Sequence, residues 1–295
     1  MDTLRELSRK RKSAEDLHSV VRTMKSLAAV SIRQFEEAAR SLEDYYRAVE
    51  LGLRAALLFR PLGGRVAEPW DSVLLLFGSD QGMAGQFNDL LVEYAARSLQ
   101  ERGPPLGSSR FWVAGAKAAG GVEERFGGAE RLFSLPPSAQ AIAHAVQEVV
   151  LQFERRRRER GEAGLVVFFN TPTSGASYRQ ERLDLLPPDR RWLERLGAGT
   201  WPAHCLPTYR APWEDLFSAL IGEYLFVALF RAFAASLAAE NAARLASMER
   251  AEKNIREKRE ELTARHHSLR QQTSTEELFD VISGFEALTS GPGRG

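Results

Sequence analysis

The sequence predicts an α/β fold combined with a long antiparallel coiled coil. The N- and C-terminal helices are expected to form a hairpin rod, with a small doubly wound α/β domain inserted between them. Two proline-free stretches, 4–59 and 213–288, carry apolar residues at steps of three and four, the spacing of a helix with one continuous apolar face. The middle of the chain alternates short apolar runs with helical patterns, which is typical of a sheet flanked by helices.

The expected domain boundaries follow from these textures. Residues 1–60 form the N-terminal helix, 61–211 the globular α/β domain, 212–288 the C-terminal helix and 289–295 a flexible, glycine-rich tail. At ~1.5 Å per residue the two helices are roughly 80 and 100 Å long. Two helices alone cannot bury all of their apolar surface, so we expect something to surround them.

The N-terminal helix is predicted from Leu4 to about Phe59, because Pro61 and two glycines follow. Its predicted apolar stripe is Leu17, Val20 or Val21, Met24, Leu27 or Ala28, Phe35, Ala38, Leu42, Tyr45, Val49, Leu53 and Ala56. The C-terminal helix is predicted from Trp213 to about Leu288. Its stripe is Leu237, Asn241, Leu245, Met248, Ala251, Ile255, Lys258, Leu262, His266, Leu269, Thr273, Leu278, Ile282 and Phe285.

The α/β domain has three predicted buried strands, at 73–77, 111–114 and 165–169, and two predicted helices, at 87–100 and 138–157. Residues 200–207 are a further strand candidate, and 171–182 read as a hairpin or a loop. The segment Leu216–Ala239 is long enough to span a membrane. Because Glu223 and Arg231 would each cost roughly 2.5–3.5 kcal/mol there, a buried helix is favoured and no direct membrane insertion is expected.

Composition restricts the function. The 40 basic and 39 acidic residues leave a net charge of +1, which argues against a bulk electrostatic grip on nucleic acid. A single cysteine, Cys205, excludes an intrachain disulfide. The N-terminus has acidic residues and no apolar core, so no signal peptide is expected, and the chain reads as soluble and intracellular.

The segment 78–88 is placed like a phosphate-binding loop, between a strand and a helix. It matches neither nucleotide fingerprint, so a structural turn is favoured over a nucleotide site. His266 and His267 are adjacent and would point about 100° apart on a helix, so they cannot chelate one ion. We therefore expect no catalytic residue, metal or cofactor.

Two basic clusters stand out. Arg9, Lys10, Arg11 and Lys12 lie on the first helix and are the better candidate for contact with an acidic partner. Arg155–Arg158 with Arg160 end a predicted helix, where cations suit the helix dipole. For both clusters a solvated helix face is favoured over contact with an acidic protein or nucleic acid.

Four separated blocks resemble the gamma subunit of F-type ATP synthases, in that family's order along the whole chain. They read SVVRTMKSLAA at 19–29, GSDQGMAGQFN at 78–88, ENAARLASM at 240–248, and RQQTSTEEL with ISG at 270–278 and 282–284. The chain departs from the family at Gln81, usually arginine, at Arg11, usually apolar, and at His266 and His267, usually tyrosine and asparagine. Residues 45–53 resemble an alternate bacterial branch, of which some members are linked to sodium transport.

The resemblance implies the central rotor stalk of the rotary machine, itself non-catalytic. Its partners would be the ring of three alpha and three beta subunits, the epsilon subunit and the membrane c-ring. The resemblance also implies a peripheral location on the cytoplasmic face of the bacterial plasma membrane. Ion translocation of H⁺ or Na⁺ would be coupled in this way to ATP synthesis or hydrolysis.

Partner contacts are implied for a few positions that match the family's motifs. Met24 matches a methionine that abuts the catalytic subunits, and Lys25 lies beside it and is expected to face outward. Arg270 and Gln271 match a pair that hydrogen-bonds a loop of the beta subunit. Thr275 and Glu277 match the Thr-x-Glu next to that contact.

Two other classes of function remain open from the residues. A free-standing coiled-coil adaptor with an α/β binding domain would keep the rods without needing the block at 270–278. A nucleotide-binding enzyme with helical arms would need the fingerprint that 78–88 lacks.

Overall fold

The computed structural model describes residues 3–60, 71–102, 109–161, 163–173, 177–202, 204–205 and 207–289. The chain separates into two compact units. We call Met1–Ser26 with Met248–Gly295 the arm unit, and Leu27–Ser247 the sheet unit. Helices α1 (Leu4–Ser41) and α7 (Trp213–Thr289) contribute to both. The predicted fold class, long terminal helices around an α/β domain, is confirmed.

In the arm unit α1 and α7 pack antiparallel. Buried Leu7, Ala14 and Leu262 form a small apolar cluster with half-buried Leu269. The direction is shown by two cross-helix ion pairs, because residue 25 lies opposite 252 and residue 15 lies opposite 259. The two helices therefore pack as an antiparallel pair, held by an apolar seam and flanking charges.

Helix α1 buries one residue in every seven. These residues are Leu7, Ala14, Val21, Ala28 and Phe35. A strict seven-residue repeat is the pattern of a coiled-coil seam. Of the alternatives left open by the sequence, Val21 and Ala28 are buried while Val20 and Leu27 are exposed. Leu17 was wrongly expected in the stripe, because half-buried His18 takes the inward position and lies 3.7 Å from the carboxylate of Glu252.

The predicted single N-terminal helix is interrupted at Leu42, and α2 (Glu43–Phe59) follows. Leu42 has φ −94° and ψ 3°, outside the helical region. The Ser41 hydroxyl donates to the Ala38 carbonyl oxygen at 2.8 Å. Serine side chains that bond nearby backbone in this way compete with helix hydrogen bonds, so Ser41 gives a local reason for the break.

The sheet unit contains five strands. They are β1 (Asp71–Phe77), β2 (Ser109–Ala114), β3 (Arg131–Phe133), β4 (Ala163–Thr173) and β5 (Ser177–Leu186). Their order is β3-β2-β1-β4-β5, with β5 antiparallel to β4 and the other neighbours parallel. The β4–β5 pair confirms the hairpin alternative for 171–182. Successive strands are added on one side of β1 up to β3 and on its other side from β4 onward, which is the strand order of a doubly wound fold.

Both faces of the sheet are covered, because alternate strand residues point to opposite sides. One face, with Leu74 and Leu76 of β1, packs against α3 (Phe87–Arg102) and α4 (Ala116–Phe126). The other face, with Val73, Leu75 and Phe77, packs against α2, α5 (Ile142–Arg160), α6 (Arg190–Ala198) and α7. A short 3₁₀ turn, Ala139–Ala141, leads into α5.

Several sheet-unit elements were missed or misassigned from the sequence. The strand expected at 200–207 is wrong for the described residues there, none of which lies in a strand. Helix α4 was missed because it contains Gly120 and Gly121, which weaken a helical pattern. Edge strand β3 is only three residues long. Helix α6 was also missed, although the Asp189 side chain accepts a hydrogen bond from the Arg191 backbone N–H, which is a typical helix start.

The second part of the apolar segment of α7 belongs to the core of the sheet unit. Between Tyr224 and Ala239 most residues are buried against the sheet, whereas Leu216–Glu223 is only partly covered. Among the described helices, α7 alone is long and apolar enough to cross a membrane, and one third of its most apolar window is buried. The charged residues that interrupt the segment, Glu223 and Arg231, are both exposed.

Candidate functional site

The loop 78–88 follows β1 and is closed by its own side chains. Gly78 lies so near α4 that a Cβ there would be 2.2 Å from Ala118 Cβ, so only glycine fits. The Ser79 N–H donates to Asn88 Oδ1 at 2.9 Å, and Asn88 Nδ2 donates to Ser79 Oγ at 2.9 Å. These two hydrogen bonds therefore hold the two ends of the loop together.

Asp80 braces the same edge of the sheet. Its Oδ1 accepts from the Ala116 N–H at 2.9 Å, and its Oδ2 accepts from the Leu135 N–H at 3.0 Å. One carboxylate therefore connects the segments that follow β1, β2 and β3. Gln81, the family's usual arginine position, is exposed. These contacts favour the structural turn over a nucleotide site.

The crevice between β1 and β4, where doubly wound folds bind ligands, is filled by helix α7. The rings of Phe233 and Phe77 lie with centroids 3.9 Å apart, and Ser236 Oγ donates to the Phe77 carbonyl oxygen at 3.0 Å. Farther along α7, Ala239 and Ala243 pack on the loop residues Ala84 and Phe87. The edge that holds a cofactor in other folds of this class here holds the C-terminal helix.

A buried ion pair lies on the same part of α7. Arg244 donates to the Glu240 carboxylate and, at 3.2 Å, to Asn241 Oδ1. Burial raises the pKa of Glu240, although Arg244 opposes that shift. The pair compensates two charges that would otherwise be costly in the core.

The arm unit has a second candidate site where α7 continues past α1. The antiparallel register places residue 270 opposite residues 4–7, at the start of α1. Beyond that point residues 274–283 are all exposed. Four large apolar side chains are among them: Leu278, Phe279, Val281 and Ile282. Leu278 and Ile282 were predicted to lie in the helix–helix stripe, which is wrong because no described part of α1 reaches them.

The predicted partner residues of the C-terminal block all lie within residues 270–283 of α7, which we call the tip. Arg270, Gln271, Thr275 and Glu277 are exposed. The Thr275 hydroxyl donates to the Gln271 carbonyl oxygen at 2.8 Å, a local helix contact. Arg270 makes no ion pair with any described residue, so its guanidinium is available to a neighbour.

Met24 and Lys25 lie at a different level of the arm. They lie at the level of Glu252, about 18 residues before Arg270 on α7, so the two groups of predicted residues are roughly 27 Å apart along the axis. Lys25 was expected to face outward, which is wrong. Its Nζ lies 3.0 Å from Glu252 and 3.7 Å from Glu249, and this contact raises the pKa of Lys25 while burial opposes the shift. Met24 is half-buried.

The first basic cluster is largely solvated. Arg9, Lys10 and Lys12 are exposed and Arg11 is half-buried. Its proposed contact with an acidic partner stays a prediction. Among the described residues no group of three or more His, Cys, Asp or Glu side chains is placed to hold a metal ion.

The second basic cluster is not a uniform solvated face. Arg156 is buried, and its Nη1 donates to both carboxylate oxygens of Glu130 at 2.7 and 2.9 Å. Arg157 instead forms an exposed pair with Glu154 at 3.0 Å. The sequence could not show this difference, because Glu130 lies 26 residues away.

Comparison with known proteins agrees with the four sequence blocks. A family described as ATP synthase matches residues 3–288. Relatives named ATP synthase gamma chain include one from Clavibacter michiganensis, 26% identical over 97% of this chain and 98% of its own length. Another, from Anaeromyxobacter sp. strain K, is 27% identical over 98% of this chain and 100% of its own.

The chain belongs to the ATP synthase gamma-chain family. Solved structures of ATP synthases share its fold at a sequence identity lower than that of these gamma chains. A chain of the Euglena gracilis mitochondrial ATP synthase has a TM-score of 0.64 at 16% identity, covering 99% of this chain and 96% of that one. A chain of the Tetrahymena thermophila mitochondrial ATP synthase central stalk and c-ring has a TM-score of 0.57 at 18% identity, covering 79% and 99%. The resemblance to a sodium-linked branch stays a prediction.

Proposed function

We propose that the chain is the central rotor stalk, the gamma subunit, of a rotary F-type ATP synthase. The observation that carries this proposal, beside family membership, is the single helix tip of α7 with its exposed apolar and polar side chains. Residues 274–283 of this tip, which lie beyond the described part of α1, have the character of a surface made for partners. The ring of alpha and beta subunits is the partner we propose for it.

The proposed mechanism is non-catalytic. An asymmetric rod inside a ring with threefold pseudo-symmetry presents a different face to each of three catalytic sites. Each site is then biased toward a different conformation by its own contacts with the rod, which is a shift of populations by differential binding. Rotation would carry the three sites in turn through binding, synthesis and release of ATP.

The sheet unit would form the foot that seats on the epsilon subunit and the membrane c-ring. In this unit α7 is tied to β1 through the Phe77–Phe233 contact and the Ser236 hydrogen bond. A turning force on the sheet would therefore reach α7 through a packed core and not through a flexible linker. This packing supports the proposed transmission.

We further propose a peripheral location on the cytoplasmic face of the bacterial plasma membrane, as part of an H⁺- or Na⁺-translocating complex. The bacterial relatives named above support this location. The domain scheme of two shaft helices around a foot, divided near 60, 211 and 288, belongs to the same proposal.

The test is ATP hydrolysis by alpha and beta subunits of the same source, produced with and without this chain. The proposal expects a stable complex that contains the chain and a higher steady-state turnover. If the chain neither assembles nor changes turnover, the rotor function is refuted and a free coiled-coil adaptor becomes the better explanation.

The tip is tested in the same complex with Arg270→Ala and Gln271→Ala. We expect each to lower turnover by about threefold or more, because each removes hydrogen bonds worth roughly 1 kcal/mol to a partner. The matched control is Lys253→Ala, an exposed charge on the same helix. Equal turnover for all three variants would contradict a role of the tip in partner contact.

A further inference from the structure

A cavity of about 330 Å³ opens within the sheet unit. It lies between the helix break at Leu42 and α7, over strands β4 and β5. Its walls include Tyr46, Tyr224, Thr171 and Arg231, and Ala228 and Ala232 form an apolar floor. The volume lies at the lower end of the range of small-molecule sites, about 300–1,000 Å³.

Arg231 is the cation that interrupts the apolar segment of α7. Its guanidinium lies 5.2 Å from the centroid of the Tyr46 ring and makes no hydrogen bond or ion pair with any described residue. Glu223, the other charge in that segment, accepts a 2.6 Å hydrogen bond from Tyr45 Oη. The Arg231 guanidinium thus lies beside an aromatic ring, and its N–H donors remain available to a ligand.

A second polar group in the cavity also lacks a partner. Thr171 Oγ1 is shielded from solvent and has no hydrogen bond to a described residue. The other charged wall residues are already engaged: Glu181 lies 2.6 Å from Arg179, and Arg182 lies 2.7 Å from Asp184. The polar groups of the cavity that have no partner among the described residues therefore include one guanidinium and one hydroxyl.

We propose that this cavity binds a carboxylate carried by a small apolar body. The Arg231 guanidinium has the geometry to hold both carboxylate oxygens. The Thr171 hydroxyl donates to the ligand, and the alanine floor accepts the apolar body. The carboxylate comes either from a free small molecule or from an Asp or Glu side chain of a neighbouring subunit, and both sources use the same chemistry.

The probe is para-fluorobenzoate, added to the full chain and followed by fluorine NMR. We expect saturable binding, and none with the neutral analogue para-fluorobenzyl alcohol at the same concentrations. Arg231→Gln should weaken binding by about tenfold, because it removes the charge-assisted pair. Thr171→Val should weaken it by about threefold.

The matched control is Arg47→Gln, an exposed arginine of α2 that does not line the cavity and that should bind the probe like wild type. Circular dichroism of each variant checks that it is folded. If the probe fails to saturate, or if folded Arg231→Gln binds as well as wild type, the proposal is overturned.

The two sources are distinguished by repeating the titration on the assembled complex, a step that rests on the proposed function. Probe binding that persists after assembly assigns the site to a free carboxylate. Binding that disappears on assembly, and whose loss is reversed by removing one partner subunit, assigns it to that partner's side chain. Binding to the isolated chain stands as a separate result even if no complex forms.

Discussion

The ion pair between buried Arg156 and partly exposed Glu130 is a sharp test of how the sheet unit is held together. Arg156, on α5, is 6% exposed and reaches both oxygens of a carboxylate that is 32% exposed. Trp112 Nε1 adds a third hydrogen bond to that carboxylate at 3.2 Å. The perturbation is Glu130→Gln, which keeps the shape of the side chain and removes its charge.

The expected cost follows from burial. Leaving a fully buried charge without its partner costs about 3–5 kcal/mol. Because about a third of the Glu130 side chain is open to water, solvent relieves part of this, and we expect a loss of about 2 kcal/mol in the free energy of unfolding. The control is Glu154→Gln, which breaks an exposed pair with Arg157 on the same helix and should cost about 0.5 kcal/mol or less.

The assay is urea unfolding followed by tryptophan fluorescence. All five tryptophans lie between residues 70 and 213, so the signal reports on the sheet unit. The double variant Glu130→Leu with Arg156→Met removes both charges and should cost less than Glu130→Gln alone. If Glu130→Gln costs no more than Glu154→Gln, the argument that burial makes this pair matter is refuted.

Three further predictions follow from the same packing. Burial raises the pKa of Glu130, but hydrogen bonds from its neighbours outweigh this and hold the pKa below its usual 4.5. The contribution of Glu130 to stability is therefore present above about pH 4.5, and the difference in stability between wild type and Glu130→Gln should shrink as pH falls below that value. A difference that does not depend on pH would contradict this prediction. Phe233→Ala should cost about 3–5 kcal/mol in the same urea assay, since the ring is fully buried; a cost below about 1 kcal/mol would show that α7 is not packed into the core. Leu262→Ala should speed amide hydrogen exchange around residues 255–269 by at least tenfold, because the side chain is buried in the arm seam, whereas exposed Leu278→Ala should leave that exchange unchanged.

The long helices could be predicted because their signal is local. Apolar residues at steps of three and four, from Leu17 to Ala56 and from Leu237 to Phe285, indicate long helices without reference to any partner. The break at Leu42 was not predicted, because it depends on one serine that bonds its own backbone. The buried strands were recognised from apolar runs, while the three-residue strand β3 carries too short a pattern.

The candidate site, too, could be predicted only in part from the sequence. The resemblance pointed to Arg270 and Gln271, and the structure exposes both on the helix tip. It could not indicate that Lys25 turns toward Glu252, because a cationic side chain on a helix looks solvated until the opposite helix is known. The cavity beside Arg231 could not be predicted either, since its walls come from parts of the chain as far apart in sequence as Ala39 and Ala235.

The sequence by itself determined the two terminal helices, the inserted α/β domain and the family to which the chain is similar, because periodicity and motif order are properties of neighbouring residues. Only the tertiary structure decided that α7 fills the crevice where such sheets bind ligands, that Arg156 is buried while Arg157 is exposed, and that residues 274–283 of α7 lie beyond the described part of α1. Each of these depends on which residues that are distant in sequence lie next to each other, and only the packed tertiary structure determines that.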